Sequence, residues 1–368
     1  MKKLFCLILA SLVLTLCACQ TGKNVIFTYA EQGKIPTYIC RLYPAEREDT
    51  RVALLLRRYD ESASSVAVAA APGEETTVVY SLPAGALTYE LTAGEGIIAF
   101  YELTTYSDGS VNYALKIIDT KNNNAVHSPY KKTVSEDNEI QTRFIAVFDG
   151  CVYYLTKSNL LGRCRVMKYS LKDKELTEYQ SYDFTENELT GGSSCTFISE
   201  NSGYLTCGVV DGNRTTLQTY DLTTGELVRE KPLPYSAALV YMADHDYNTG
   251  LYAMYYVSAQ GDERVAVFAY SENDVTDIMK LDDNTYITRE EVRMISSEVY
   301  FGTQRTDEEA ETPYTQFEGY MINAVSADAE KKSCPGCLQI FVQDGEYYGL
   351  CFDEKRAYEK MDLIKITK

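Results

Sequence analysis

The segment LQTYDLTTGELVRE, from Leu217 to Glu230, contains an apolar strand, a turn with Asp, Thr and Gly, and a second, polar strand. Polar and glycine residues that separate two β-forming runs are typical of a hairpin. The same order of strand, polar turn and strand recurs in three further segments: ALKIIDTKNNNAV from Ala114, VMKYSLKDKELTEY from Val166 and VAVFAYSENDVTDI from Val265. The chain is therefore built around a repeated hairpin.

This repeat has a nearly constant spacing along the chain. We align five residues as equivalent positions, namely Ile118, Tyr169, Tyr220, Tyr270 and Tyr320. Successive members are 51, 51, 50 and 50 residues apart. A period of about 50 residues with four short strands in each predicts β-propeller blades. The innermost strands of seven blades are expected to begin near Thr37, Leu87, Gln141, Ser193, Ala237, Glu290 and Cys337.

The two ends of the chain predict how the propeller closes. The last period supplies three strands, whereas Asn24 to Glu31 (NVIFTYAE) is an extra strand before the first period. Pairing of this strand with Lys360 to Thr367 completes the last blade and leaves no open edge. We expect residues 24–368 to form one all-β domain, a seven-bladed β-propeller closed by an N-terminal strand. Because Ser64 to Pro83 is irregular and rich in alanine, six or eight blades remain alternatives.

One hairpin also resembles a known group of proteins. YDLTTGELV, from Tyr220 to Val228, is similar to the hairpin between the third and fourth strands of YVTN-type and quinoprotein-type bacterial propellers. The resemblance implies the architecture and says little about activity. The chain contains no Trp, so neither WD40 membership nor a quinone cofactor stacked on blade tryptophans is supported.

The N-terminus predicts export and lipidation. Met1-Lys2-Lys3 precedes an apolar run from Leu4 to Leu16, which is the arrangement of a secretory signal peptide. Leu16-Cys17-Ala18-Cys19 resembles the lipobox of bacterial lipoproteins. This resemblance implies a signal peptide over residues 1–18, a diacylglyceryl group on Cys19 and a lipidated tether over residues 19–23. We therefore expect an extracytoplasmic protein, anchored to a bacterial membrane through this lipid.

Net charge limits the classes of partner. Loss of residues 1–18 leaves 33 basic and 53 acidic side chains, a net charge of about −20. Nucleic acids and anionic membrane surfaces require clustered Lys and Arg, so we exclude both as direct partners. A protein, peptide or glycan ligand remains, and we expect the domain to be monomeric.

Charged residues concentrate in the predicted connections between second and third strands, which share one face of a propeller with the connections between blades. Acidic and basic residues in such exposed loops can bind a ligand, although solvated loops are the alternative. The candidate ligand-binding residues are Asp108, Asp211, Arg214, Asp262, Arg264, Arg305 and Asp307.

Histidine and acidic residues give weak signals for chemistry. The two histidines, His127 and His245, lie in different blades, so we expect no catalytic residue and no metal site built on histidine. Asp244-His245-Asp246-Tyr247-Asn248 reads as a polar turn whose oxygens offer calcium a site, although the spacing fits no EF-hand. We expect no cofactor otherwise.

Cysteine is the unusual residue of this chain. Eight cysteines follow Cys19, and Cys334-Pro335-Gly336-Cys337 has the spacing of redox and zinc sites. Its context is a loop that enters a strand, not the helix of a redox motif, and no second ligand pair has matching spacing. If Asp344-Gly345 forms a three-residue turn with a Gly bulge, Cys337 lies opposite Cys351. A disulfide between them is then allowed, with buried thiols as the alternative.

These observations favour a binding or scaffold module over an enzyme. A hydrolase or lyase with carboxylates in the central channel is the alternative, because paired carboxylates about 5–9 Å apart can cleave glycosidic bonds. Fold does not determine function, so the sequence leaves the question of catalysis open.

Overall fold

The protein is described by a computed structural model, in which the described residues are 25–26, 28–33, 38–43, 52–57, 64–69, 76–134, 140–158, 162–183, 193–211, 214–233, 237–272, 274–295, 297–307, 314–325, 331–343, 346–352 and 361–367. Cys19 and the other residues of the predicted signal peptide and tether lie outside them. All helical or extended structure in these ranges is β-strand, and they contain no helix long and apolar enough to cross a membrane.

The described strands follow the chain at short intervals. They are β1 (Val25–Ile26), β2 (Thr28–Gly33), β3 (Tyr38–Tyr43), β4 (Val52–Arg57), β5 (Ser64–Ala69), β6 (Thr76–Ser81), β7 (Leu87–Gly94), β8 (Ile97–Thr105), β9 (Val111–Asp119), β10 (Ala125–Val134), β11 (Ile140–Phe148), β12 (Cys151–Ser158), β13 (Arg163–Ser170), β14 (Glu175–Asp183), β15 (Ser193–Asn201), β16 (Tyr204–Asp211), β17 (Arg214–Asp221), β18 (Leu227–Pro232), β19 (Ala237–Asp246), β20 (Leu251–Ser258), β21 (Glu263–Ala269), β22 (Thr276–Lys280), β23 (Thr285–Ile295), β24 (Glu298–Asp307), β25 (Tyr314–Asn323), β26 (Lys331–Pro335), β27 (Cys337–Gln343), β28 (Glu346–Phe352) and β29 (Met361–Thr367).

These strands form seven sheets within the described residues. Sheets 1 to 5 are β3–β6, β7–β10, β11–β14, β15–β18 and β19–β22; sheet 6 is β23–β26 with β1; sheet 7 is β27–β29 with β2. From sheet 2 to sheet 6, consecutive sheets contact each other chiefly through their first strands. Four-stranded antiparallel sheets that follow one another and pack side by side are β-propeller blades. The all-β propeller expectation is confirmed.

Six of the seven expected first strands begin within one residue of their predicted positions. The exception is Glu290, which lies inside β23, because this strand begins at Thr285. Its pairing with β24 is interrupted between Ile287 and Val292. The residues between those two are polar, so the search for an apolar run did not detect the first half of the strand.

The predicted N-terminal strand is confirmed as the partner of the last strand. β2 pairs antiparallel with β29, and Thr28 lies opposite Thr367. The segment from Asn24 to Glu31 is nevertheless not one strand, because Val25 and Ile26 pair in parallel with β26 of sheet 6. The N-terminal segment therefore lies on the outer edges of two neighbouring sheets.

Two of the aligned repeat positions are wrong by two residues. Ile118, Tyr169 and Tyr220 lie opposite the second residue of the preceding strand. The same place is held by Phe268 in sheet 5 and Ile322 in sheet 6. Tyr270 lies two residues after Phe268, and Tyr320 lies two residues before Ile322. Because side chains two residues apart point to the same face, alternation alone does not reveal this shift.

Each first strand contains a register shift, which is a β-bulge or a longer irregularity. A bulge bends its strand and increases the local twist. Strongly twisted sheets suit the propeller, in which each blade twists from its inner to its outer strand. Sheet 7 illustrates the effect: Gln343 lies opposite Glu346, and the shift between Cys337 and Gln339 places Cys337 opposite Cys351. The predicted cysteine register is correct, but the bulge lies in β27 and not at the turn.

Candidate functional site

The candidate ligand-binding residues lie on one edge of the sheets, which we call the loop face. It carries the connections between second and third strands and those between consecutive sheets, and the opposite edge is the turn face. Asp108 lies between β8 and β9. Asp211 and Arg214 face each other at the ends of β16 and β17. The remaining candidates lie at the β20–β21 and β24–β25 connections: Asp262, Arg264, Arg305 and Asp307.

Sheet 5 brings two of these candidates into contact. Arg264 forms an ion pair of 3.0 Å with Asp262, and Lys280 approaches the other oxygen of the Asp262 carboxylate at 3.0 Å. Arg264 also pairs with Asp277 of β22, whose second oxygen accepts a 2.6 Å hydrogen bond from the Tyr256 hydroxyl. The lysine and arginine lower the pKa of Asp262. Sequence reasoning found Asp262 and Arg264 but missed Asp277 and Lys280, which come from the next strand.

The other candidates belong to separate sheets. The Asp108 carboxylate accepts hydrogen bonds from the Ser110 amide at 2.9 Å and hydroxyl at 2.6 Å, which lower its pKa and hold the turn. Asp211, Arg214 and Arg305 are exposed, and the side chain of Asp307 lies outside the described residues. Among the described candidate residues, Asp262 and Arg264 of sheet 5 are the two whose side chains contact each other.

Exposed aromatic side chains accompany these charges on sheets 2, 5 and 6. Tyr106 in the β8–β9 connection is 44% exposed, and Tyr241 of β19 and Tyr286 of β23 are 38% and 48% exposed. Tyr241 lies at a register shift between Val240 and Met242, so the bulge turns its side chain out of the core. Its ring is 4.9 Å from the ring of Tyr255. The sequence contains 31 tyrosines, and their pattern does not reveal which ones a bulge exposes.

The segment expected to be a solvated turn at Asp244 is instead buried strand. β19 continues to Asp246, and Asp244 and His245 are buried. Asp246 accepts hydrogen bonds from the amides of Asn248 and Thr249 and so caps the real turn. Calcium binding here remains a prediction, and it would have to compete with these protein donors for the carboxylate oxygens.

Asp244 connects the first strands of three consecutive sheets. Its Oδ1 accepts a 2.9 Å hydrogen bond from the Ser199 hydroxyl of β15, and its Oδ2 accepts a 2.8 Å bond from the Met294 amide of β23. Burial raises its pKa. The channel chemistry of a hydrolase or lyase needs two carboxyl groups that converge, whereas Asp244 accepts its two hydrogen bonds from a hydroxyl and an amide. Catalysis therefore remains an alternative without an observed pair.

Next to it, His245 belongs to a buried network of hydroxyl groups. Its Nδ1 lies 3.0 Å from the Thr206 hydroxyl, which is 3.0 Å from that of Thr219. The Tyr252 hydroxyl continues the chain at 3.2 Å from Thr219. Burial lowers the pKa of His245 to about 4. A neutral imidazole locked between sheets 4 and 5 has a packing role.

Comparisons with known proteins support the fold. No family model and no curated protein matches the chain. Among solved structures, it is similar to an oligogalacturonate lyase from Vibrio parahaemolyticus, with a TM-score of 0.50, 10% identity, and coverage of 95% of this chain and 99% of that one. A prolyl endopeptidase matches with a TM-score of 0.51 and 10% identity over 90% of this chain.

The prolyl endopeptidase match covers 50% of that enzyme, so this chain spans about half its length. TolB from Acinetobacter baumannii is also similar, with a TM-score of 0.44, 10% identity, and coverage of 77% of this chain and 66% of that one. Identities this low establish a shared fold alone, because one fold supports unrelated functions.

Proposed function

We propose that this chain is a lipid-anchored, extracytoplasmic binding propeller whose loop face takes a protein, peptide or glycan ligand. The observation that carries the proposal is that exposed tyrosines and the charged network occur on neighbouring sheets: Tyr241 belongs to sheet 5, as the network does, and Tyr286 to the adjoining sheet 6. Aromatic residues and arginine are enriched in binding sites, because they bury a large apolar area and still offer hydrogen bonds.

We propose further that the seven sheets close into a ring of seven blades. Seven sheets follow the chain in order, and the strand paired with β29 comes from the N-terminus. Pairing of the two ends of the chain within one sheet closes the ring. It also covers a strand edge that could otherwise pair with another chain.

We propose that the anchor lies on the side of the turn face. Val25 pairs with Lys332 near the start of β26, which lies at that face. Residues 20–24 separate it from Cys19, a reach of about 20 Å when extended. The loop face would then point away from the membrane. Cys19→Ser tests the anchor: we expect loss of labelling by a fatty-acid probe and release from the membrane fraction, and persistent labelling would refute it.

The ligand face is tested with the domain of residues 20–368 on an array of glycans and peptides. We expect Tyr286→Ala and Arg264→Ala each to lower the affinity for the captured ligands at least tenfold. Aromatic and arginine residues have effects of this size in known interfaces. Asn123→Ala, at an exposed turn on the opposite face, is the matched control. Equal weakening by the control, or no effect of the two loop-face changes, would contradict the proposed face.

A further inference from the structure

Three cysteines from three consecutive strands of the chain converge where sheets 6 and 7 meet. Cys334 lies in β26, Cys337 in β27 and Cys351 in β28, and all three side chains are buried. Their sulfur atoms lie within 4.8 Å of one another, and those of Cys334 and Cys351 are 3.9 Å apart. The sequence motif joined Cys334 to Cys337 and the predicted register joined Cys337 to Cys351, and the fold brings all three sulfurs together.

This spacing suits coordination of a metal ion. A thiolate sulfur binds its metal at about 2.3 Å, so three sulfurs in a plane around one ion lie about 4 Å from each other. The 3.9 Å separation of Cys334 and Cys351 matches this value. A disulfide requires about 2.05 Å. The sulfurs of Cys334 and Cys351 are therefore at a separation that suits two ligands of one ion and is too long for a disulfide.

Two glycines make room for the three sulfurs. A Cβ at Gly349 would lie 3.0 Å from the Cys337 sulfur and 3.2 Å from the Cys351 sulfur, and one at Gly319 would lie 3.0 Å from the Cys337 Cβ. Met321 belongs to the same buried cluster. The surroundings supply sulfur and hydrocarbon, which suits a soft ion.

The site lies close to the surface of the domain. Cys334 and Cys337 are joined by Pro335 and Gly336 at the loop face, and Pro335 is exposed. Gly336 has a φ of 74°, and its amide donates a 2.7 Å hydrogen bond to the Phe317 carbonyl. The sulfurs thus lie directly beneath a surface turn.

We infer that Cys334, Cys337 and Cys351 form a binding site for a thiophilic metal ion that accepts three sulfur ligands, with monovalent copper as the ion. Structural zinc sites close with four ligands, whereas the group found here among the described His, Cys, Asp and Glu residues has three members, all of them cysteines. Thiolate ligands select soft ions such as Cu(I). Each thiol that becomes a thiolate releases its proton to solvent, so affinity should fall as pH falls.

A second group of buried cysteines provides a matched control. Cys164, Cys195 and Cys207 are buried where sheets 3 and 4 meet. The Cys164 thiol donates to the Cys195 carbonyl at 3.2 Å, and the Cys195 thiol donates to the Phe197 carbonyl at 3.2 Å. The Cys337 thiol of the proposed site also donates to a backbone carbonyl, that of Gln339, at 3.1 Å. The two groups differ in that, among the described residues, it is the sulfurs of Cys334, Cys337 and Cys351 that all lie within 4.8 Å of one another. Cys207→Ser therefore imposes a similar burial cost without removing a proposed ligand.

The test is a Cu(I) titration of the full chain, reduced and purified without oxygen, against the chromophoric chelator bicinchoninate. We expect one Cu(I) per parent chain, at least a hundredfold weaker binding in Cys351→Ser and Cys337→Ser, and unchanged binding in Cys207→Ser. X-ray absorption of the Cu(I)-loaded parent should find three sulfur neighbours, which keeps the test independent of how the variants fold. No binding by the reduced parent, equal loss in the control, fewer than three sulfur neighbours or a Cys334–Cys351 disulfide in the oxygen-free protein would overturn the inference.

Discussion

Replacing Asp244 by alanine should destabilise the propeller through the junction of sheets 4, 5 and 6. The substitution removes both acceptors of the hydrogen bonds donated by Ser199 and the Met294 amide. A buried donor left without an acceptor costs about 1–3 kcal/mol, so two cost about 2–6 kcal/mol. Removing a buried carboxylate relieves part of this cost, because burial already disfavours its charged form. We expect a net loss of about 3 kcal/mol.

Urea unfolding at pH 7 measures this loss, with Asp244→Asn as the matched control. The asparagine oxygen still accepts the Met294 amide proton, and its NH₂ group can donate to the Ser199 hydroxyl, so we expect a loss of about 1 kcal/mol or less. Ser199→Ala and Asp244→Ala share one bond, and their combined effect should be smaller than the sum of the two.

The pH dependence adds a second, independent readout. Since burial raises the pKa of Asp244 in the folded state, the folded protein takes up this proton before the unfolded chain does. The stability contributed by this group therefore rises as pH falls toward 3.8, and the alanine variant should lose that trend. The error of an extrapolated free energy of unfolding is about 0.5 kcal/mol. An alanine variant whose free energy of unfolding lies within that error of the parent value would refute the reasoning.

Three shorter predictions follow from other parts of the fold. On lipid-bound protein with its reactive thiols removed, maleimide should label a cysteine at Ser107 on the loop face faster than one at Asn123 on the turn face; the reverse order would contradict the orientation. Burial lowers the pKa of His245 from 6.5 to about 4, so the unfolded chain protonates this imidazole more readily than the folded protein does. The free energy of unfolding should therefore fall by about 3 kcal/mol between pH 6.5 and pH 4. His245→Gln should remove this fall in acid unfolding experiments. Gly208→Ala places a Cβ 2.2 Å from the buried ring of Phe197 and should cost about 1–3 kcal/mol in urea unfolding, and an unchanged midpoint would show that the ring moves freely.

The repeated hairpin made the blade positions predictable. Leu87, Ser193 and Cys337 begin their strands as expected, because a glycine lies one or two residues before each and marks a connection. Asp149-Gly150 forms the expected two-residue turn, and both residues have positive φ values, 46° and 66°, as a tight hairpin with matched twist requires. Local signals of this kind depend on neighbours in sequence, which a single sequence contains in full.

The candidate site was less predictable, because bulges and contacts between sheets decide it. A bulge exposes Tyr241, and another one aligns Cys337 with Cys351. Neither bulge could be located from the residue pattern. The extra residue of a bulge shifts the alternation of inward and outward side chains, and in these short strands that shift cannot be told from an ordinary irregularity of the pattern. Asp244 reads as a polar turn residue until its donors from the neighbouring sheets are known. Cys334 lies opposite Gly319 of β25, and β25 packs against β27, so its thiol joins the other two only through the contact between sheets 6 and 7.

Closure by the N-terminal strand is the central claim, and removing residues 20–33 tests it most directly. β2 contributes five residue pairs to sheet 7, and at about 0.5–1.5 kcal/mol for each hydrogen bond their loss should cost about 3–7 kcal/mol. We expect the truncated chain to melt well below the parent in calorimetry, and a synthetic peptide of residues 24–33 to restore the melting temperature when added back. A truncated chain that melts at the parent temperature, with no response to the peptide, would contradict closure by this strand.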